Sequence, residues 1–181
     1  LSACAPPTNT VVANKSIKVG WKSDIDTFNP LTTTTTEAIE VQSLIYDTLS
    51  AYGLDLKPEP GLASSTTQQG DTITYNLREG VKWHDGTPFT ADDVVYTINL
   101  VSSADSKVAV PTNTNWIEKA EKTGDLSVRV TLKKPNPAAL EYFALVVPIY
   151  PKAYREKVGA EGYAKAPIGS GPYRIAKWEA G

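Results

Sequence analysis

Two runs of strict alternation constrain this chain more than any other feature. Ile73, Tyr75 and Leu77 alternate with Thr74, Asn76 and Arg78, and Val128, Val130 and Leu132 alternate with Arg129 and Thr131. Successive side chains of a strand point to opposite faces, so each run buries one face and leaves the other in water. Trp116 to Lys122 followed by Gly124-Asp125 leads into the second run and marks a hairpin. Between the runs stands LREGVKWHDGTPFTADDVVYTI, residues 77–98. Asp85-Gly86, set between Val81 and Trp83 on one side and Pro88-Phe89 on the other, reads as a turn where Gly accepts a positive φ, with His84 decorating it. Thr90 and Asp93 have capping-box spacing ahead of Val94, Val95, Ile98 and Val101. A helix therefore starts there, with Asp92 and Asp93 against the positive end of its dipole.

The same stretch holds the chain's only histidine beside Asp85, with Asp92 and Asp93 close by, and could be read as a hydrolytic or metal site. No GxSxG elbow, HExxH or metal-binding aspartate series accompanies it. We read these residues as turn and helix-start signals and assign no catalytic residue, no metal ligand and no cofactor.

Elsewhere, Ile17 to Trp21 (IKVGW) reads as a short strand, followed by a loop through Asn29-Pro30 into the threonine run 32–36. Thr34 and Glu37 stand in capping-box spacing, and Ala38, Val41, Ile45 and Leu49 recur at three and four. The spacing predicts a helix from near Thr35 to a stop before Gly53. Leu54 to Ser65, with Pro58, Pro60 and Gly61, is turn-rich. After Pro135-Asn136-Pro137 come a short helix to Ala144, an apolar run from Leu145 to Tyr150, a helical piece from Pro151 to Val158, and a last strand from Tyr173 to Trp178.

With 181 residues, 41% of them hydrophobic and 21% charged, the chain is long enough to bury a core. A net charge of −2 with mixed signs provides no basic face for nucleic acid and no polybasic run for anionic lipid. One cysteine and one histidine cannot make a four-ligand zinc site, and one cysteine makes no internal disulfide. That cysteine stands in Leu1-Ser2-Ala3-Cys4, before a Pro, Thr, Asn and Ser-rich stretch reaching about Ser16. The order is that of a lipobox: small residues before a thiol that takes a lipid, then a flexible tether. Cys4 is accordingly the expected lipidation site, with the rest of a signal peptide expected upstream of Leu1. No stretch approaches the ~20 apolar residues of a membrane-spanning helix.

The stretch YNLREGVKWHDGTPFTADDVVYTI resembles the signature of extracellular solute-binding proteins, family 5, which serve dipeptide and oligopeptide importers of the ATP-binding-cassette (ABC) type. IYDTLSAYG, KPEPGLASS, VRVTLKKPNP, VPIYPKAY and PIGSGPYRI resemble the family in the same order along the chain. The resemblance implies an α/β, periplasmic-binding-protein-like two-lobe fold of class II type, with an inserted α+β domain. It implies residues 1–14 as lipobox and tether, 15–45 as the first segment of lobe I, 46–167 as inserted domain II, and 168–181 as the start of the return into lobe I. Members are well over twice this long, so the remainder of lobe I and a third domain are expected beyond this stretch. The residues that fix a peptide's two ends are expected mostly there too.

By the same resemblance, the loop from Lys22 to Thr36 lines the ligand cleft. Ser23, Asp24, Thr33, Thr34, Thr35 and Thr36 are the ligand-site candidates, through hydroxyls and free N–H groups at a helix start. Capping of that helix is the alternative role of the threonines. Trp83 and Trp116 are core or rim aromatics, Trp116 being the one placed to face the cleft. Gly169-Ser170-Gly171-Pro172 resembles the crossover back to the first lobe, where small residues allow a sharp turn. The implied function is a non-enzymatic, monomeric solute-binding component. It would close on a small peptide, or on a sugar, opine or chelated metal, and deliver it to an ABC permease from the outer face of the cytoplasmic membrane. A surface sensory or interaction protein reusing the fold is the other class.

Overall fold

The computed structural model describes residues 16–179. Cys4 and its tether lie outside them. The two alternating runs form the middle of one antiparallel sheet of four strands, β3 (Ala63–Gln69), β4 (Thr72–Leu77), β6 (Ser127–Leu132) and β5 (Ile117–Gly124), in the spatial order β3-β4-β6-β5. The register sets Ile73 opposite Val130 and Tyr75 opposite Val128, so the apolar residues of both runs share one face. Onto that face packs α2 (Ala91–Ser102) through Val94, Ile98 and Val101. Burying these aliphatic side chains contributes about 1.5–3 kcal/mol each. Asn99 of α2 holds the edge strand by its backbone, donating to Ala120 O at 3.0 Å and accepting from Ala120 N at 2.8 Å.

The start of α2 forms as its spacing predicts. Asp93 Oδ2 accepts from Thr90 N at 2.8 Å and from the Thr90 hydroxyl at 3.2 Å, which closes the N-terminal turn. The same carboxylate also takes bonds from Trp83 Nε1 at 3.4 Å and, through Oδ1, from Lys152 N at 2.8 Å. Asp93 is buried, and burial pushes its carboxyl above the usual range while these hydrogen bonds pull it back. The Asp85-Gly86 turn is also present, with Gly86 at φ 86° and Asp85 Oδ1 accepting from Thr87 N at 2.9 Å.

His84 does more than decorate that turn. Its main-chain N–H donates to Gly169 O at 2.8 Å, and its Nδ1 accepts from Gly169 N at 3.1 Å. Nδ1 therefore carries the lone pair, and the protonated Nε2 donates to Gly171 O at 2.8 Å. The segment so pinned has no room for side chains: a Cβ on Gly169 would stand 2.0 Å from Ile45 O, and one on Gly171 2.7 Å from it. Two main-chain bonds then join the segment to the end of α1 (Thr36–Ile45), from Gly171 N to Ile45 O at 2.9 Å and from Tyr173 N to Leu44 O at 3.0 Å.

Several expectations are corrected. Ile17–Trp21 is no strand; it has no ladder partner among the described residues, and Ile17, Val19 and Trp21 are exposed. Tyr173–Trp178 is likewise without strand pairing, although Trp178 sets its edge on Phe28 at 5.8 Å. The first helix stops at Ile45 and does not reach Leu49, because Tyr46 turns extended. Leu49 then enters the sheet core between the Thr48–Pro148 bridge and β1 (Ser50–Tyr52). The stretch read as turn-rich contains β2 (Pro58–Pro60), paired antiparallel with β1, and the start of β3. No capping box joins Thr34 to Glu37; Thr35 is the N-cap, without a side-chain cap bond. After α3 (Ala139–Leu145), α4 (Lys152–Lys165) continues past Val158 through a break at Gly159, whose φ of 70° a glycine tolerates.

Candidate functional site

A second apolar cluster, separate from the sheet core, holds the N-terminal loop in place. Phe28, Ile45, Tyr46, Tyr150 and Tyr163 pack together, with Tyr163 stacked on Tyr46 at 6.1 Å and edge-on to Tyr150 at 5.0 Å. Their hydroxyls donate to the backbone and to the loop. Tyr46 bonds Phe28 O at 2.6 Å, Tyr163 bonds Ile168 O, and Tyr150 bonds Asn29 Oδ1. Burial pushes all three phenols well above their ordinary range. Asn29 in turn organises the loop, its carbonyl accepting from Thr32 N at 3.1 Å. Gln42 reaches back from α1 to Thr27 O at 2.9 Å.

So fixed, the loop forms one side of a cleft of about 670 Å³. Pro30, Leu31, Thr33 and Thr34 face the segment 108–114, which is tied across to the loop by Ala109 N donating to Leu31 O at 2.7 Å. The floor and far side come from Thr48, β1 and the end of α3 with Val146 and Pro148. The volume falls within the range of small-molecule sites, and the walls are mainly apolar with a few polar groups.

The candidate residues fall in different places. Thr33 and Thr34 line the cleft, whereas Ser23, Asp24, Thr35, Thr36 and Trp116 are not among its lining residues. The hydroxyls of Thr33 and Thr35 both donate to Asp26, at 2.9 and 3.0 Å, and Thr35 N donates to Thr33 Oγ1 at 3.2 Å. Trp116 packs its ring on Tyr142 and Phe143, each at 5.6 Å. Trp83 is a core residue.

Sequence reasoning missed the far side of the cleft. Val108 to Val110, Asn113 and Leu145 come together only through tertiary folding, and no short motif marks them. Among the described residues, no group of three or more His, Cys, Asp or Glu is placed to hold a metal ion. No described helix is long and apolar enough to cross a membrane.

The family model of bacterial extracellular solute-binding proteins, family 5, matches residues 57–181. Protein XP55 of Streptomyces lividans is 32% identical over 99% of this chain and 34% of its own length. Among solved structures, the oligopeptide-binding protein AppA of Bacillus subtilis, in complex with a nonapeptide, superposes with a TM-score of 0.78 at 30% identity. The match covers 86% of this chain and 32% of that one. MoaA of A. tumefaciens R10, in complex with mannopinic acid, has a TM-score of 0.80 at 28% identity over 88% of this chain and 34% of that one. The chain thus spans about a third of the length of the relatives it matches.

Proposed function

Because this chain belongs to the bacterial extracellular solute-binding proteins of family 5, we propose that it is the solute-capturing part of an ABC importer, with a peptide as solute. The observation that carries the reading is the cleft of about 670 Å³ between the loop 30–34 and the segment 108–114, in a chain superposable on a peptide-bound relative. Residues 15–45 and 168–181 supply parts of the first lobe, and 46–167 form the domain inserted between them. The main-chain bonds of Gly171 and Tyr173 to the end of α1 hold the two crossings side by side. Lobe closure buries the solute, and the closed form docks on a permease.

Thr34 presents its hydroxyl to the solute, while Thr33 and Thr35, both bonded to Asp26, hold the loop that carries it. Trp116 supports the sheet end near α3 and contributes indirectly. The chemistry is binding without catalysis. A lipid on Cys4 keeps the protein at the outer face of the cytoplasmic membrane as a monomer. Calorimetric titration of the protein in its full natural length with a peptide mixture tests the core of this reading. Saturable binding is expected, and its absence would remove the peptide assignment. Cys4→Ser in the precursor should move the protein from the membrane to the soluble fraction, and equal membrane retention would remove the anchor. The mannopinic acid complex of MoaA favours a second reading, an opine-like solute, which titration with mannopinic acid distinguishes.

A further inference from the structure

The cleft has a charge character that its location alone does not explain. Its rim carries three large apolar side chains in water: Ile39 is 50% exposed, Val110 40% and Leu145 63%. Among the described residues no Lys, Arg or His lines it, and Asp47 is the one lining carboxylate. The backbone of Asp47 is fixed by Ile149 N, which donates to Asp47 O at 3.1 Å, and none of the ion pairs among the described residues engages its carboxylate. The start of α1 does not reverse this sign. Asp26 already takes the Thr33 and Thr35 hydroxyls there and Glu37 stands in the first turn, so two of the chain's own acids face the positive end of the helix.

We propose that this wall selects solutes that are apolar, and neutral or cationic, where they touch it, with Asp47 setting the sign and Leu145 and Val110 supplying the apolar contact. The proposal rests on the solute-binding reading and adds the chemical class. Apolar rim residues gain by leaving water, which favours a bulky aliphatic group. An anionic group would meet a like charge in a cleft with low-dielectric walls, at a cost on the order of tenfold in affinity.

The test is calorimetric titration of the protein in its full natural length with trileucine, trialanine, trilysine and triglutamate. Trileucine should bind about tenfold more tightly than trialanine, and trilysine about tenfold more tightly than triglutamate. Asp47→Asn should narrow the lysine-to-glutamate ratio by at least about threefold and leave the leucine-to-alanine ratio in place. Leu145→Ser should do the reverse. Asp47 and Leu145 are both partly or largely exposed, and unchanged melting temperatures confirm that the variants fold. Triglutamate binding as tightly as trilysine, or a ratio that Asp47→Asn leaves unmoved, would overturn the proposal while saturable peptide binding keeps the function. Failure of every probe and of the peptide mixture would overturn both.

Discussion

The sheet core and the tyrosine cluster are built in different ways. The first is a mainly aliphatic face on β4, β5 and β6, with Tyr75 its one tyrosine, covered by α2, and its members recur at spacings of two along strands and three or four along the helix. The second gathers Phe28, Ile45, Tyr46, Tyr150 and Tyr163 from distant parts of the chain, and three of its five members also tie down the backbone or loop by hydroxyl bonds. An aliphatic core tolerates imprecision, since any side chain of suitable volume retains most of the transfer free energy. A cluster of buried phenols does not, because each hydroxyl that loses its acceptor becomes a buried unsatisfied group.

Alkaline pH should separate the two most strongly. Burial raises Tyr46, Tyr150 and Tyr163 in the second cluster and Tyr75 in the first. A phenol raised in the folded state keeps its proton after the unfolded chain has lost it. Its stabilising contribution is therefore intact below the unfolded value of about 10 and is lost as pH climbs from there toward the folded value. Each such phenol costs about 1.4 kcal/mol per pH unit in that window. Hydrogen exchange should show the backbone of 28–31 and 168–171 opening before β4 and β6. Simultaneous opening would make the clusters one cooperative unit.

Ile98→Ala should come next, at about 2–5 kcal/mol, because the fully buried side chain leaves a cavity under the inner face of the sheet. A urea midpoint drop with protection lost throughout the sheet is expected, and an effect confined to α2 would contradict a shared core. Tyr150→Phe should cost about 1–2 kcal/mol by removing a buried donor from Asn29, with loosening concentrated in the N-terminal loop. His84→Ala should be smallest, about 1 kcal/mol. Faster exchange is expected at Gly169 N, whose acceptor is the ring, while the sheet stays protected.

The same contrast explains what could be read from residue order. Ile73, Tyr75, Val128 and Val130, and the Thr90–Asp93 helix start, follow local periods and appear in the structure where those periods place them. Leu49 continues the three-and-four spacing of α1 but serves the sheet core, so the periodicity overruns the helix. IKVGW has the alternation of a strand, yet a strand also needs a neighbour to share its hydrogen bonds, and no described segment offers one. The family resemblance points to the whole loop from Lys22 to Thr36, of which only Pro30, Leu31, Thr33 and Thr34 line this cleft. Nothing local distinguishes 108–114 and Leu145 from other surface residues.

The bonds from Gly171 and Tyr173 to the end of α1 have a consequence for the order of folding. They join residues separated by most of the chain, so forming them early would close a very long loop for the return of two hydrogen bonds. The sheet hairpins and α2 close far shorter loops and should be in place first. The N-terminal segment should therefore dock last, after its return partner has been synthesised and the intervening residues have brought it near. In refolding, burial at Trp83, inside the sheet core, should precede the contact of Trp178 with Phe28. Single-tryptophan variants followed by stopped-flow fluorescence would show the two steps as separate phases, and one common rate would mean that the ends dock together with the core.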